Sequence, residues 1–234
     1  MKKLILISAA LILIISCVEN KKEMQNDYNN ANTVKNANEI INKNDVDMKL
    51  SKELQVERLK YINNQYRITL DKKLQIQLLD SFFMLFPEHF SLLIDLYGYK
   101  EICIDSTSYG PLYNYSYSHI ELLYKSEEIV GSNLFIRKII DISLNGYWQS
   151  DAVAIFKEYL FDLLLSNKKL FCSKLNEYNE QDIESFWKFY FDEPHPENLD
   201  FNELDNFKQL DSKMYCIIKS SHDDALKRSR KTLP

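Results

Sequence analysis

Leu74, Leu78, Phe82 and Phe86 stand four residues apart, and no glycine or proline falls between them. That spacing, unbroken over more than three turns, prescribes an amphipathic helix. The same signature recurs along the chain. Val56, Leu59, Ile62 and Tyr66 mark one face of an earlier helix, and helical periodicity returns over residues 117–127, 132–145, 150–166, 168–177, 180–191 and 203–230. Only four Gly and five Pro occur in 234 residues, too few for a many-turned β architecture. The expected fold is all-α: one globular domain of about eight helices over residues 50–234, built as a bundle or as solenoid-like helix pairs.

Local signals refine this reading. The second helix is expected over about Leu70 to Phe86, after which Pro87 restarts the chain as a helix that Gly98 ends. Residues 100–117 read as irregular or weakly extended, with Gly110-Pro111 as a turn. In the segment Asp151 to Ser166 the acids Asp151, Glu158 and Asp162 share one narrow face and the rest is almost wholly apolar. A helix with so little polar surface belongs near the centre of the domain. Gly146 is placed to end the preceding helix, with Ser150 or Asp151 as the next cap and Trp148 over the core edge. Asn179 is followed by an acid three residues on, Asp182, a further helix start.

The amino terminus carries a different message. Lys2 and Lys3 precede a charge-free run from Leu4 to Ile15, 12 residues. A membrane-spanning helix needs about 20, so the run fits a cleaved secretory signal better. It ends Ile14-Ile15-Ser16-Cys17, which resembles the lipobox of bacterial lipoproteins. The resemblance implies a signal peptide over residues 1–16, cleavage after Ser16, diacylglyceryl on the Cys17 sulfur and acylation of the new amino terminus. It therefore implies attachment to an envelope membrane through lipid, and Val18 in place of Asp looks like outer-membrane sorting in a Gram-negative cell. Residues 17–49 are rich in Asn, Lys, Glu and Asp and read as a flexible tether. About 30 such residues reach roughly 30 Å.

Charge and chemistry exclude several classes of function. The formal net charge is −5, and loss of Lys2 and Lys3 with the signal makes the chain more acidic still. Such a domain has no general attraction for nucleic acid or for anionic lipid. The four histidines, His89, His119, His195 and His222, include no helical zinc pair, and there is no phosphate-binding glycine loop and no nucleophile elbow. His222-Asp223 matches the doublet of metal-dependent HD phosphohydrolases, but the further ligands of that family are missing. No cofactor, metal site or catalytic residue is expected. With Cys17 taken by lipid, Cys103, Cys172 and Cys216 read as buried thiols, with a Cys172–Cys216 disulfide as the alternative. Lys227-Arg228-Ser229-Arg230-Lys231 reads as a solvated helix end, where cations suit the dipole.

Aromatic residues give the positive signals. Tyr109, Tyr113, Tyr115 and Tyr117 crowd one stretch with Gly110, Asn114, Ser116 and Ser118, a composition suited to protein contact because Tyr offers area at low entropic cost. Phe186-Trp187-Lys188-Phe189-Tyr190-Phe191 runs into Asp192-Glu193-Pro194-His195-Pro196. It reads first as a core helix with a stiff exit, and second as a surface where His195, Asp192 and Glu193 meet a partner or a metal. Trp148-Gln149-Ser150-Asp151 together with this later stretch resembles small helical bacterial proteins of no assigned activity, some of them similar to immunity proteins against delivered toxins. The expectation is a non-catalytic module that binds a protein through Tyr113, Tyr115 and Tyr117, with Trp148 and His195 nearby and toxin neutralisation as its sharpest form. The alternatives are an envelope hydrolase acting on peptidoglycan or glycan and a structural accessory lipoprotein of an envelope assembly.

Overall fold

The computed structural model describes residues 51–103 and 106–232. The segments expected to be signal peptide, lipobox with Cys17 and tether lie outside the described residues. Nine helices of eight residues or more run through the described part: α1 Lys52–Ile68, α2 Lys72–Leu85, α3 Phe90–Tyr97, α4 Ser116–Lys125, α6 Ser132–Ser143, α7 Ala152–Ser166, α8 Lys168–Leu175, α9 Glu180–Phe191 and α11 Ser212–Thr232. Two four-residue turns of helix, α5 Glu127–Val130 and α10 Phe207–Leu210, sit between them. The fold is all-α, with one small departure, a two-stranded antiparallel hairpin of β1 Tyr99–Cys103 and β2 Ser106–Tyr109. Among the described residues no helix is long and apolar enough to cross a membrane.

Side-chain caps set the starts of the main helices. Ser51 accepts from the Leu54 N–H, and Asp71 from those of Lys73 and Leu74. His89 Nδ1, not Pro87, caps α3 by accepting from the Leu92 N–H. Asn179 accepts from Asp182 N at 3.0 Å, the start signal legible in the sequence, and Asp211 does the same for Met214 in α11. Each such cap satisfies an amide that the helix cannot.

One continuous core fills the space between the helices. The aromatic face of α9 is its densest part: Phe186, Trp187, Phe189 and Phe191 are wholly buried. The Trp187 ring meets Phe207 of α10 edge-on at 5.4 Å, and Phe191 lies 5.0 Å from the His222 ring of α11. On the other side of the domain Phe82 of α2 packs edge-on at 5.3 Å against His119 of α4. In α7, Val153, Phe156, Leu160 and Leu164 are buried while Asp151, Glu158 and Asp162 stay exposed, so the narrow acidic face reads true.

Three expectations need correction. Cys216 is exposed, not buried, and Cys172 and Cys216 are free thiols, so no disulfide joins them. The buried stripe of α11 is Met214, Ile218, Ser221 and Ala225, and Cys216 falls off it. The Cys103 side chain lies outside the described residues. Residues 100–117 are more ordered in type than expected: after the hairpin, Tyr113–Tyr115 form a 3-10 turn that runs into α4. Gly98 does not end α3 through a left-handed conformation, since its φ is −82°. It is required by crowding instead, because a Cβ there would lie 2.8 Å from the Ile94 carbonyl oxygen.

Candidate functional site

The connection from α6 to α7, residues 145–151, ties three parts of the domain together. It leaves α6 with Asn145 at φ 57° and enters α7 with Asp151 at φ 65°, both unusual for residues with a Cβ. Ser185 of α9 accepts the Asn145 N–H at 2.7 Å. Gly146 passes so close to α9 that a Cβ would lie 2.5 Å from a ring carbon of Phe189. The Tyr147 ring stands edge-on to Phe90 at 4.9 Å, and the Trp148 N–H donates to the Asp192 carboxylate at 2.6 Å. Trp148 itself is half-buried.

The far end of the connection grips the hairpin. Gln149 Nε2 donates to the Tyr99 carbonyl at 2.9 Å, and its Oε1 accepts the Tyr99 N–H at 3.4 Å. Ser150 Oγ and the Tyr99 hydroxyl share a hydrogen bond at 3.0 Å. The Tyr113 hydroxyl donates to Asp151 at 2.5 Å. That carboxylate holds the Tyr113 phenol protonated, with its pKa pushed up to about 12. Of the two caps expected for α7, Ser150 or Asp151, neither side chain makes a cap hydrogen bond: Asp151 holds the cap position but is given to Tyr113, and Ser150 to Tyr99.

The hairpin in turn orders a group of tyrosines. Its register places Tyr99 opposite Tyr109. Their rings lie 6.5 Å apart, and Tyr109 lies 4.4 Å from Tyr113. Gly110 allows the chain to close on α3: its N–H donates to the Gly98 carbonyl at 2.8 Å, and a Cβ would sit 2.4 Å from the Leu96 carbonyl oxygen. Tyr109 remains 57% and Tyr147 49% exposed. The result is a group of part-exposed rings, Tyr99 and Tyr113, whose hydroxyls are fixed by Ser150 and Asp151, with the exposed Tyr109 packed between them.

Beneath the connection lies a charged group that the sequence reading passed over. Lys157 of α7 is buried, with its side chain 1% exposed. Its ammonium donates to the carbonyls of Phe189 and Asp192, each at 2.7 Å, and meets Glu193 Oε1 at 2.8 Å. All three protons are used. The ammonium therefore closes the open carboxyl end of α9, where free carbonyls gather. Burial lowers the Lys157 pKa, and the Glu193 carboxylate opposes that shift. Asp192 links this clamp to Trp148 on one side and to Arg228 of α11, at 3.7 Å, on the other.

Of the expected partner-binding residues, Tyr113 belongs to this surface. Tyr115 is half-buried 5.1 Å from the His119 ring, with Lys60 Nζ 5.9 Å from its centroid. Tyr117 is exposed on the first turn of α4. The three tyrosines thus have different neighbours and do not form one loop surface. Tyr99 and Tyr109 take the places expected for Tyr115 and Tyr117. His195 is exposed beyond the α9 exit and pairs with Glu197 at 3.2 Å, while Asp192 and Glu193 are engaged elsewhere. Among the described residues no group of three or more His, Cys, Asp or Glu is placed to hold a metal ion.

A shallow cleft of about 180 Å³ opens between α8, α9 and α11, lined by Tyr178, Glu180, Asp211 and Lys213 among others. Its two carboxylates are already engaged. Glu180 pairs with Lys213 at 2.7 Å, and Asp211 caps α11 and accepts from Asn176. Compared with known protein families, with curated proteins and with solved structures, the chain matches none.

Proposed function

We propose that this helical domain is a non-catalytic protein-binding module, carried by an envelope lipoprotein that is lipidated at Cys17. The observation that supports the binding reading is the tyrosine group of Tyr99, Tyr109 and Tyr113, anchored through Tyr99 and Tyr113 to Gln149, Ser150 and Asp151, with Tyr109 left 57% exposed. Rings fixed before binding lose little freedom on contact, which is what a tyrosine-rich interface needs. The net acidity of the chain suits a basic partner by steering its approach, and neutralisation of a toxin is the sharpest form of the reading.

The test is a photo-crosslinking phenylalanine analogue placed in living cells at Tyr109, with the exposed Lys169 of α8 as the control position. A discrete protein adduct from position 109 and none from position 169 is the expected result. No adduct, or the same adducts from both positions, would defeat the binding reading.

A further inference from the structure

We propose that the turn between α1 and α2 inserts into the surface of an anionic phospholipid bilayer. The turn is Thr69-Leu70-Asp71, flanked by Ile68 at the end of α1, at the apex of a helical hairpin. Leu70 is 95% exposed and Ile68 61%, and Leu74 and Ile76 in the first turns of α2 are exposed as well. A single exposed apolar residue on a surface is ordinary, but a group at one protruding tip marks a contact site. Three cations surround it: Arg67 in the last turn of α1, and Lys72 and Lys73 opening α2. None of the three is ion-paired among the described residues. The only acid in the stretch 67–74 is Asp71, which caps α2, so the three cations leave the stretch with a net positive charge.

The charge pattern decides between occupants. The chain as a whole is acidic, with a formal net charge of −5, yet this tip is basic. At physiological ionic strength charges more than about 8 Å away are largely screened, so the tip's own cations govern what approaches it. Apolar side chains ringed by Lys and Arg match the boundary of a bilayer, where aliphatic groups enter the acyl region and long cationic chains reach the headgroups. A convex tip of single side chains also fits a deformable lipid surface better than a rigid protein face. The hairpin has the reach as well, since α1, at 17 residues, is about 25 Å long and carries the tip well clear of Ser51. This inference goes beyond the protein-binding reading and needs no lipid on Cys17.

The experiment uses the chain from residue 17 onward with Cys17→Ser and Leu70→Trp, so that the apolar run before Cys17 cannot itself bind lipid, and subtracts the emission of the same chain without Leu70→Trp. Vesicles of equal parts phosphatidylethanolamine and phosphatidylglycerol should move the introduced indole to shorter wavelength, and acyl-chain bromine should quench it. Phosphatidylcholine vesicles should do neither. Arg67→Gln, Lys72→Gln and Lys73→Gln together should abolish the change at sub-saturating lipid, because each cation contributes roughly fivefold to partition and three contribute about a hundredfold. All these positions are exposed, and an unchanged helical circular dichroism spectrum checks that each variant folds. An indole that stays water-exposed on anionic vesicles, equal quenching on phosphatidylcholine, or undiminished quenching in the triple variant overturns the proposal. So does a shift that appears without vesicles and grows with protein concentration, which identifies a second copy of the chain as the occupant.

Discussion

Lys157→Met removes the ammonium while keeping most of the side chain's length, and its cost follows from what is left behind. The Phe189 carbonyl retains one partner, the Asp192 N–H at 3.1 Å. The part-buried Asp192 carbonyl loses the donor that held it at 2.7 Å, at the low end of the about 1–3 kcal/mol that a fully buried orphan costs. Breaking a buried ion pair from one side costs about 3–5 kcal/mol. Glu193 keeps 20% of its side-chain surface and turns toward water when freed, so the low end of that range applies. The expected loss is about 3 kcal/mol, or roughly 10 °C in Tm for a domain of this size. Urea unfolding of the lipid-free Cys17→Ser chain measures it. Glu193→Gln alone should lose about 1 kcal/mol, since it keeps a polar oxygen near the ammonium. The double variant should stay well below the parent, because the α9 carbonyls remain uncapped whether or not Glu193 is charged. A Lys157→Met loss under about 1 kcal/mol, or a double variant restored to parental stability, would refute the view that this lysine closes the end of α9.

Other outcomes follow from particular residues. Burial lowers the His119 pKa to about 3 from 6.5, so the unfolded chain takes up this proton first and stability falls as pH drops from 6.5 toward 3. That loss is roughly 1 kcal/mol at pH 5.5 and roughly 3 kcal/mol at pH 4.5, and His119→Gln should remove this part of the acid sensitivity in pH-dependent urea titrations. Maleimide labelling of the native chain, mapped by peptide mass, should modify the exposed Cys216 and spare the buried Cys172, whose thiol pKa burial raises. Gly146→Ala forces a methyl to within 2.5 Å of the Phe189 ring and should destabilise by about 1–3 kcal/mol, read from the shift in urea midpoint. Cys17→Ser should move the chain out of the detergent phase on partitioning, and equal partitioning of both forms would remove the lipid-anchor reading.

Much of the helical layout was legible because its signals are local. The α9 start needs only Asn179 and Asp182, and the narrow acidic face of α7 needs only the spacing of Asp151, Glu158 and Asp162. What escaped depends on contacts between distant segments. Lys157 sits on an apolar helix as an unremarkable long side chain, and its acceptors lie 32 or more residues away, brought to it only by packing of α7 against α9. Tyr113, Tyr115 and Tyr117 read as one surface because they crowd together among small polar residues. The chain coils into a 3-10 turn and then α4, which sends them to different neighbours. The pairing of Tyr99 with Tyr109 had no apolar alternation to announce it, since Lys100, Glu101, Thr107 and Ser108 fill the strands between. Cys216 was misjudged because the apolar residues around it suggested burial, whereas the stripe that docks α11 runs through Met214 and Ile218.

The dependence of α9 on α11 also sets the order in which the chain can mature. Synthesis makes α9 first, and its aromatic face meets His222 of α11 and Phe207 of α10, both of which come later from the ribosome. Until those segments emerge, Trp187 and Phe191 have no cover, and at about 5–20 residues per second that interval lasts seconds. A nascent chain in this state presents a sticky aromatic ridge on which holding chaperones can act.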